Sequence, residues 1–146
     1  MKKEGTRARF TQVRTAILCG LLLSFANNDI WAVDAEGGPS LQGRGEHFVL
    51  AIEPELNPIK INRMHRWRLH LRRLDGTPVN DAQISLIGGM ALHDHGLPSS
   101  PRIEPVGSNG QYLAEGIKFH MSGQWQMLFT VETVGGVEIL TVDLEI

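Results

Sequence analysis

The stretch "HRWRLHLRRL", residues 65–74, decides the fold. Trp67, Leu69 and Leu71 fall on one parity, and Arg66, Arg68, His70 and Arg72 on the other. Side chains alternate between the two faces of an extended chain, so this is a strand with one buried and one wet face. A helical period would scatter the arginines among the apolar residues. The sequence on either side repeats the pattern. Upstream, "HFVLAIE" (47–53) is a first strand and "NPIKINRM" (57–64) an irregular connection. Downstream, "DGTPVND" (75–81) has the residues of a turn. "AQISLIGG" (82–89) follows as a strand with Ile84 and Leu86 on one face.

The remaining segments extend the same reading. "SSPRIEPVGSNG" (99–110) is a proline-rich connection with a turn at Asn109-Gly110. "QYLAEGIKF" (111–119) is a strand, and "HMSG" (120–123) is a tight connection. "QWQMLFTVE" (124–132) turns Trp125, Met127, Phe129 and Val131 inward. It forms a predicted hairpin with "VEILTVDLEI" (137–146) across a short glycine-containing turn. No segment after residue 35 has a helical period. The expected fold is all-β, an immunoglobulin-like β-sandwich of about seven strands, with a small barrel as the alternative.

The chain before this domain has a different character. Residues 1–14 carry five basic side chains and one acid, and "AILCGLLLSFA" (16–26) is apolar. A basic region followed by a short apolar run is the pattern of a secretory signal peptide, and the run is too short to span a bilayer. Residues 1–35 are therefore assigned as the signal, with cleavage after Ala35 preferred to cleavage after Ala32. An uncleaved membrane anchor is the alternative. Residues 36–45, "EGGPSLQGRG", are expected to be a flexible linker, and residues 46–146 the domain. The single cysteine, Cys19, lies in the signal. The exported domain thus has no disulfide and no thiolate, which fits an oxidising compartment and, with this signal, the periplasm.

Removing residues 1–35 takes away five basic and three acidic residues, leaving 9 basic and 13 acidic, a net charge of −4. That balance argues against nucleic acid as a partner. An enzyme is not expected. There is no cysteine nucleophile, no Gly-x-Ser-x-Gly elbow, no phosphate-binding glycine loop and no completed acid–base pair. The arginine strand is expected to be a solvated face that discourages edge-to-edge sheet pairing. The functional alternative is a docking surface for an acidic partner or anionic headgroups. Met64 and His65 within it are a weaker candidate metal pair.

The stronger candidate is the loop "GGMALHDHGLP", residues 88–98. His93 and His95 stand two apart, so in extended backbone both imidazoles point to one side. Met90 adds a thioether, and Gly96 and Pro98 close the loop. Imidazole with thioether is a soft-to-borderline ligand set that favours copper, especially Cu(I), with zinc second. Asp94 faces the other way and is read as a solvent or supporting residue. His120 and Met121 form a second donor group downstream. Neighbouring residues face opposite sides, so only one of the two is expected to join the loop. The working set is Met90, His93, His95 and Met121, with His120 as a possible additional ligand. It requires the segments before residues 90 and 120 to meet at one end of the sandwich. The plain alternative is a polar turn over methionines that fill the core.

"MALHDHGLP" and "NGQYLAEGIKFHMSGQW" together resemble the YtkA-like domain family, related to the FixH-like proteins. There a segment M-P-x-H-x-H-G-[ML]-P precedes a G-x-Y strand and F-x-M-x-G-x-W. "HRWRLHLRRLDGTPVNDAQISLIGGM" is similar to the upstream W-x-L/V and DG-x-PV-x-x-A elements of that family. The likeness extends over residues 46–145. It implies an exported or membrane-tethered immunoglobulin-like sandwich linked to copper handling or cytochrome oxidase assembly, with ligands at Met90, His93, His95 and Met121. Ala91 stands where the family often has proline, and Leu97 where some members have methionine. The function expected is a periplasmic carrier of copper, exchanging it with a donor or acceptor protein of the cell envelope. The alternative is a metal-free interaction module assisting a membrane or oxidase-assembly complex.

Overall fold

The computed structural model describes residues 41–90, 93 and 95–146. All belong to the unit spanning residues 36–146. The assignment of residues 1–35 as a signal lies outside the described residues. So do the first half of the expected linker and the loop residues Ala91, Leu92 and Asp94.

Nine antiparallel strands form two sheets among the described residues. They are β1 (Leu41–Arg44), β2 (Phe48–Pro54), β3 (Met64–Arg73), β4 (Gln83–Met90), β5 (His95–Gly96), β6 (Arg102–Pro105), β7 (Gln111–Lys118), β8 (Gln124–Thr133) and β9 (Gly136–Glu145). One sheet has the order β1-β2-β3-β7-β6 and the other β5-β4-β8-β9. Setting β1 and β5 aside leaves β2-β3-β7-β6 facing β4-β8-β9. In chain order that is A-B-E-D against C-F-G, the seven-strand arrangement of an immunoglobulin constant-type sandwich. The expected fold is the one observed, and β1 and β5 are short additions to it.

The arginine strand is the middle of the first sheet. Trp67, Leu69 and Leu71 are fully buried, as are Trp125, Met127, Phe129 and Val131 from the facing sheet. β8 and β9 pair from Thr133↔Gly136 to Gln124↔Glu145 without a break, which is the predicted hairpin.

Four expectations are corrected. Residues 41–44 are not linker but β1, paired with β2 from Leu41↔Ile52 to Arg44↔Val49. The glycine that made the segment look flexible lies close to β9. A Cβ on Gly43 would sit 3.1 Å from Val142 Cγ2 and 3.2 Å from Leu140 Cβ, so a side chain there would crowd β9. Second, the proline-rich connection contains β6, paired with β7. Its Pro105 is at the strand's last position on a sheet edge, where a missing N–H is tolerated.

Third, the arginines guard no edge, because β3 has β2 on one side and β7 on the other. Their charge is met across the sheet. Arg66 lies 3.3 Å from Glu55 and 3.4 Å from Glu115, Arg68 lies 3.8 Å from Glu55, and His70 lies 3.7 Å from Glu53. The face is a mixed-charge surface, each exposed pair of which contributes little stability.

Fourth, Met64 and His65 are not a metal-binding pair, because they lie on opposite faces of β3. His65 shares the parity of Trp67 and is 1% exposed, while Met64 beside it is 64% exposed on the other side. The two cannot hold one ion. His65 Nε2 is 2.7 Å from the Lys60 carbonyl, a bond that ties the irregular connection down to the core.

Candidate functional site

Strand direction places the candidate residues. β4 runs from Gln83 to Met90 in one sheet, and β7 from Gln111 to Lys118 in the other. Both finish at the same end of the sandwich. The loop after β4 turns back within a few residues. The His93 N–H bonds the Met90 carbonyl at 3.0 Å, and β5 pairs antiparallel with β4 at Met90↔His95 and Gly89↔Gly96. The Leu97 N–H closes the return on the Gly88 carbonyl. This pairing aligns His95 beside the end of β4 and leaves both His93 and His95 exposed.

The connection after β7 comes up from the opposite sheet. Phe119 is fully buried against Trp125, with ring centres 5.1 Å apart, and anchors the segment. The Trp125 indole N–H donates to the Met121 carbonyl at 3.2 Å. Gly123 exchanges two backbone bonds with Ile146, at 2.7 and 3.0 Å. Between these anchors, half-buried His120 projects toward the loop. Its ring is 5.8 Å from that of His95 and 5.6 Å from that of Trp125, edge-on to both. The His93 and His95 rings are stacked at 6.3 Å. Three imidazoles therefore stand in a row, His93 to His95 to His120, with Trp125 behind the last.

The methionines are placed differently. Met90 is 3% exposed and belongs to the core. It reaches under the second segment, and a Cβ on Gly123 would come within 2.7 Å of its terminal methyl. Met121 is partly buried and packs on the core. Both thioethers thus lie with the apolar interior, and the imidazoles face outward above them.

Ring spacing tests whether the histidines suit a metal ion. An ion held about 2.1 Å from a ring nitrogen lies about 3 Å from that ring's centre, so two imidazoles sharing it have centres about 5–6 Å apart. The His95–His120 spacing fits, whereas the His93–His95 spacing exceeds it and those two rings are stacked, so their in-plane nitrogens do not aim at one point. Among the described residues no three of His, Cys, Asp or Glu already converge on a common point. Exposed His93 would have to turn its ring inward to complete a set. His120 also has an unmet demand. Its Nδ1 is buried with no hydrogen-bond partner among the described residues, and buried ring nitrogens are ordinarily paired.

The sequence model of the YtkA-like family matches residues 46–129, more than half of the chain, and spans both donor segments. The chain belongs to the YtkA-like family. No curated protein matches it. Among solved structures, the YtkA-like domain is similar to a DUF4426 family protein from Pseudomonas aeruginosa PAO1. That likeness is at 15% identity with a TM-score of 0.53, over 73% of this chain and 94% of the other, and shows a shared sandwich fold.

The sequence pattern named all three imidazoles of this YtkA-like domain but ranked them differently. His120 was secondary to Met121, yet its ring is the one that stands against His95. Trp125 was read as a core residue and is one. Its second role, as the wall behind His120 five residues earlier, arises from the fold of the β7–β8 connection, which strand alternation does not describe.

Proposed function

We propose that this YtkA-like domain is a non-catalytic carrier of a metal ion, copper foremost and zinc second. It would act in the periplasm after export and exchange its ion with donor and acceptor proteins of the cell envelope. The observation that supports this reading is the row of His93, His95 and His120 at one end of the sandwich. Neutral imidazoles offer lone pairs to borderline ions. The only cysteine is Cys19, outside the domain, so no thiolate would make the ion hard to release. His93 and His95 are exposed, which allows an incoming ligand from a partner to approach before the outgoing ones leave.

The test is titration of the protein purified from cells expressing the full chain with Cu(I), Cu(II) and Zn(II) in turn, beside a His93→Ala/His95→Ala variant. One ion bound per chain with submicromolar affinity, and lost in the variant, is expected for copper. Affinity no better than micromolar for all three ions would overturn the proposal.

A second reading rests on the outer face of β4-β8-β9. Ile87, Val137 and Ile139 are exposed there, and the row Ile87↔Leu128↔Thr141 across the sheet carries no charge. On this reading the domain is a metal-free module that assists a membrane or oxidase-assembly complex. The histidine double variant would then bind its partner as well as the parent does.

A further inference from the structure

The identity of the third ligand follows from how residues 119–123 are held. This inference rests on the carrier reading and deepens it. Phe119 and Met121 share a parity. The first is fully buried and the second packs on the core. His120, between them, is turned to the other side, where it meets His95. The backbone cannot easily rotate to exchange His120 for Met121. The Met121 carbonyl is bonded to Trp125, and Gly123 is bonded twice to the terminal residue. Trp125 itself is 1% exposed and fixed by the core. It acts as a positioning residue, its indole packed perpendicular to the His120 ring at 5.6 Å. Among the described residues the buried Nδ1 of His120 has no hydrogen-bond partner.

We propose that His120, not Met121, completes the site, so that His95 and His120, joined by His93 once its exposed ring turns inward, bind one ion through three imidazoles. The cargo class changes with this set. Thioether donors select Cu(I), whereas imidazole suits Cu(II) and Zn(II) as well. Among divalent ions a nitrogen site binds Cu(II) more tightly than Zn(II). The domain is then a carrier of cupric ion, with Met90 and Met121 as the apolar floor beneath the imidazoles.

The experiment titrates Cu(II) into the full-chain protein and into three variants, His120→Ala, Met121→Leu and His93→Ala/His95→Ala, and counts imidazole ligands by X-ray absorption. Three imidazoles are expected in the parent and two in His120→Ala. The affinity of His120→Ala should fall by about tenfold or more, because losing even a group that only orients a ligand costs 10–100-fold. Met121→Leu should stay within about twofold of the parent. A His120→Asn variant, which keeps a polar side chain on the same backbone, should lose affinity equally. It separates ligand loss from misfolding, with the thermal midpoint of each variant as the control. Unchanged affinity and ligand count in both His120 variants, with binding still lost in the double variant, would overturn this inference and leave the carrier reading intact. A larger loss in Met121→Leu than in His120→Ala would also overturn it. No Cu(II) bound by the parent would overturn it as well, and Cu(I) bound by that same protein would show the carrier reading surviving alone.

Discussion

Tyr112→Phe removes a single oxygen from the end of the sandwich opposite the histidines. The Tyr112 hydroxyl donates to the Val79 carbonyl at 2.8 Å and accepts from the Ala82 N–H at 3.1 Å. It therefore pins the connection between β3 and β4 to β7. Tyr112 is 1% exposed, so water cannot replace either bond without opening the site. The variant leaves a buried carbonyl and a buried N–H without this partner, each costing about 1–3 kcal/mol. Allowing for partial relaxation, the expected loss is about 2–3 kcal/mol. For a domain of this size about 1 kcal/mol moves the thermal midpoint by roughly 4 °C, so a fall of about 10 °C is expected. Urea unfolding should show the same loss in midpoint with an unchanged slope, since the surface exposed on unfolding is the same.

A pH arm makes the test sharper. Burial raises the Tyr112 phenol above its ordinary value. The Ala82 N–H opposes the rise, and nearby Asp81 adds to it. The folded state then keeps a proton that the unfolded chain gives up. This contribution is complete below the free phenol value of about 10 and is lost as pH rises through the folded value. Tyr112 is the only tyrosine, so the alkaline loss of stability should be steeper in the parent than in Tyr112→Phe. A change below about 0.5 kcal/mol at neutral pH, with parallel alkaline limbs, would refute the argument that this hydroxyl anchors the connection.

Three further outcomes are expected. Gly110→Ala should cost about 2 kcal/mol or more by urea unfolding, because Gly110 has φ +71 and a Cβ would lie 2.3 Å from the Leu71 carbonyl oxygen. Gly123→Ala should lower stability by about 1–2 kcal/mol, since φ there is +127 and the new methyl meets Met90. Its heteronuclear NMR spectrum should shift most around Met90 and His120, and shifts confined to the backbone of residue 123 would contradict the packing described. His93→Ala/His95→Ala should leave the unfolding free energy within about 0.5 kcal/mol of the parent, as both side chains are exposed. A larger loss, measured in urea, would show the pair to be structural.

Alternation by itself determined the class of fold. Once Trp67, Leu69 and Leu71 must be buried and the arginines between them wetted, a strand with one inner face is the only regular conformation available. The same rule assigned the inner faces of β4 and β8, and applied one position earlier it puts His65 inside. The loop histidines were also legible, since a pair two residues apart shares a side wherever it lies. Short elements were not. β1 is dominated by glycine and polar residues, and only its pairing with β2 makes it a strand. The choice between His120 and Met121 was likewise closed to the sequence, because parity says that they differ and not which one faces the loop. That depends on where two sheets bring the ends of β4 and β7, and on Phe119 finding Trp125 in the core. Pairing along a strand is local and is written in the order of residues. Juxtaposition between sheets is set by the packing of both, and no single segment carries it.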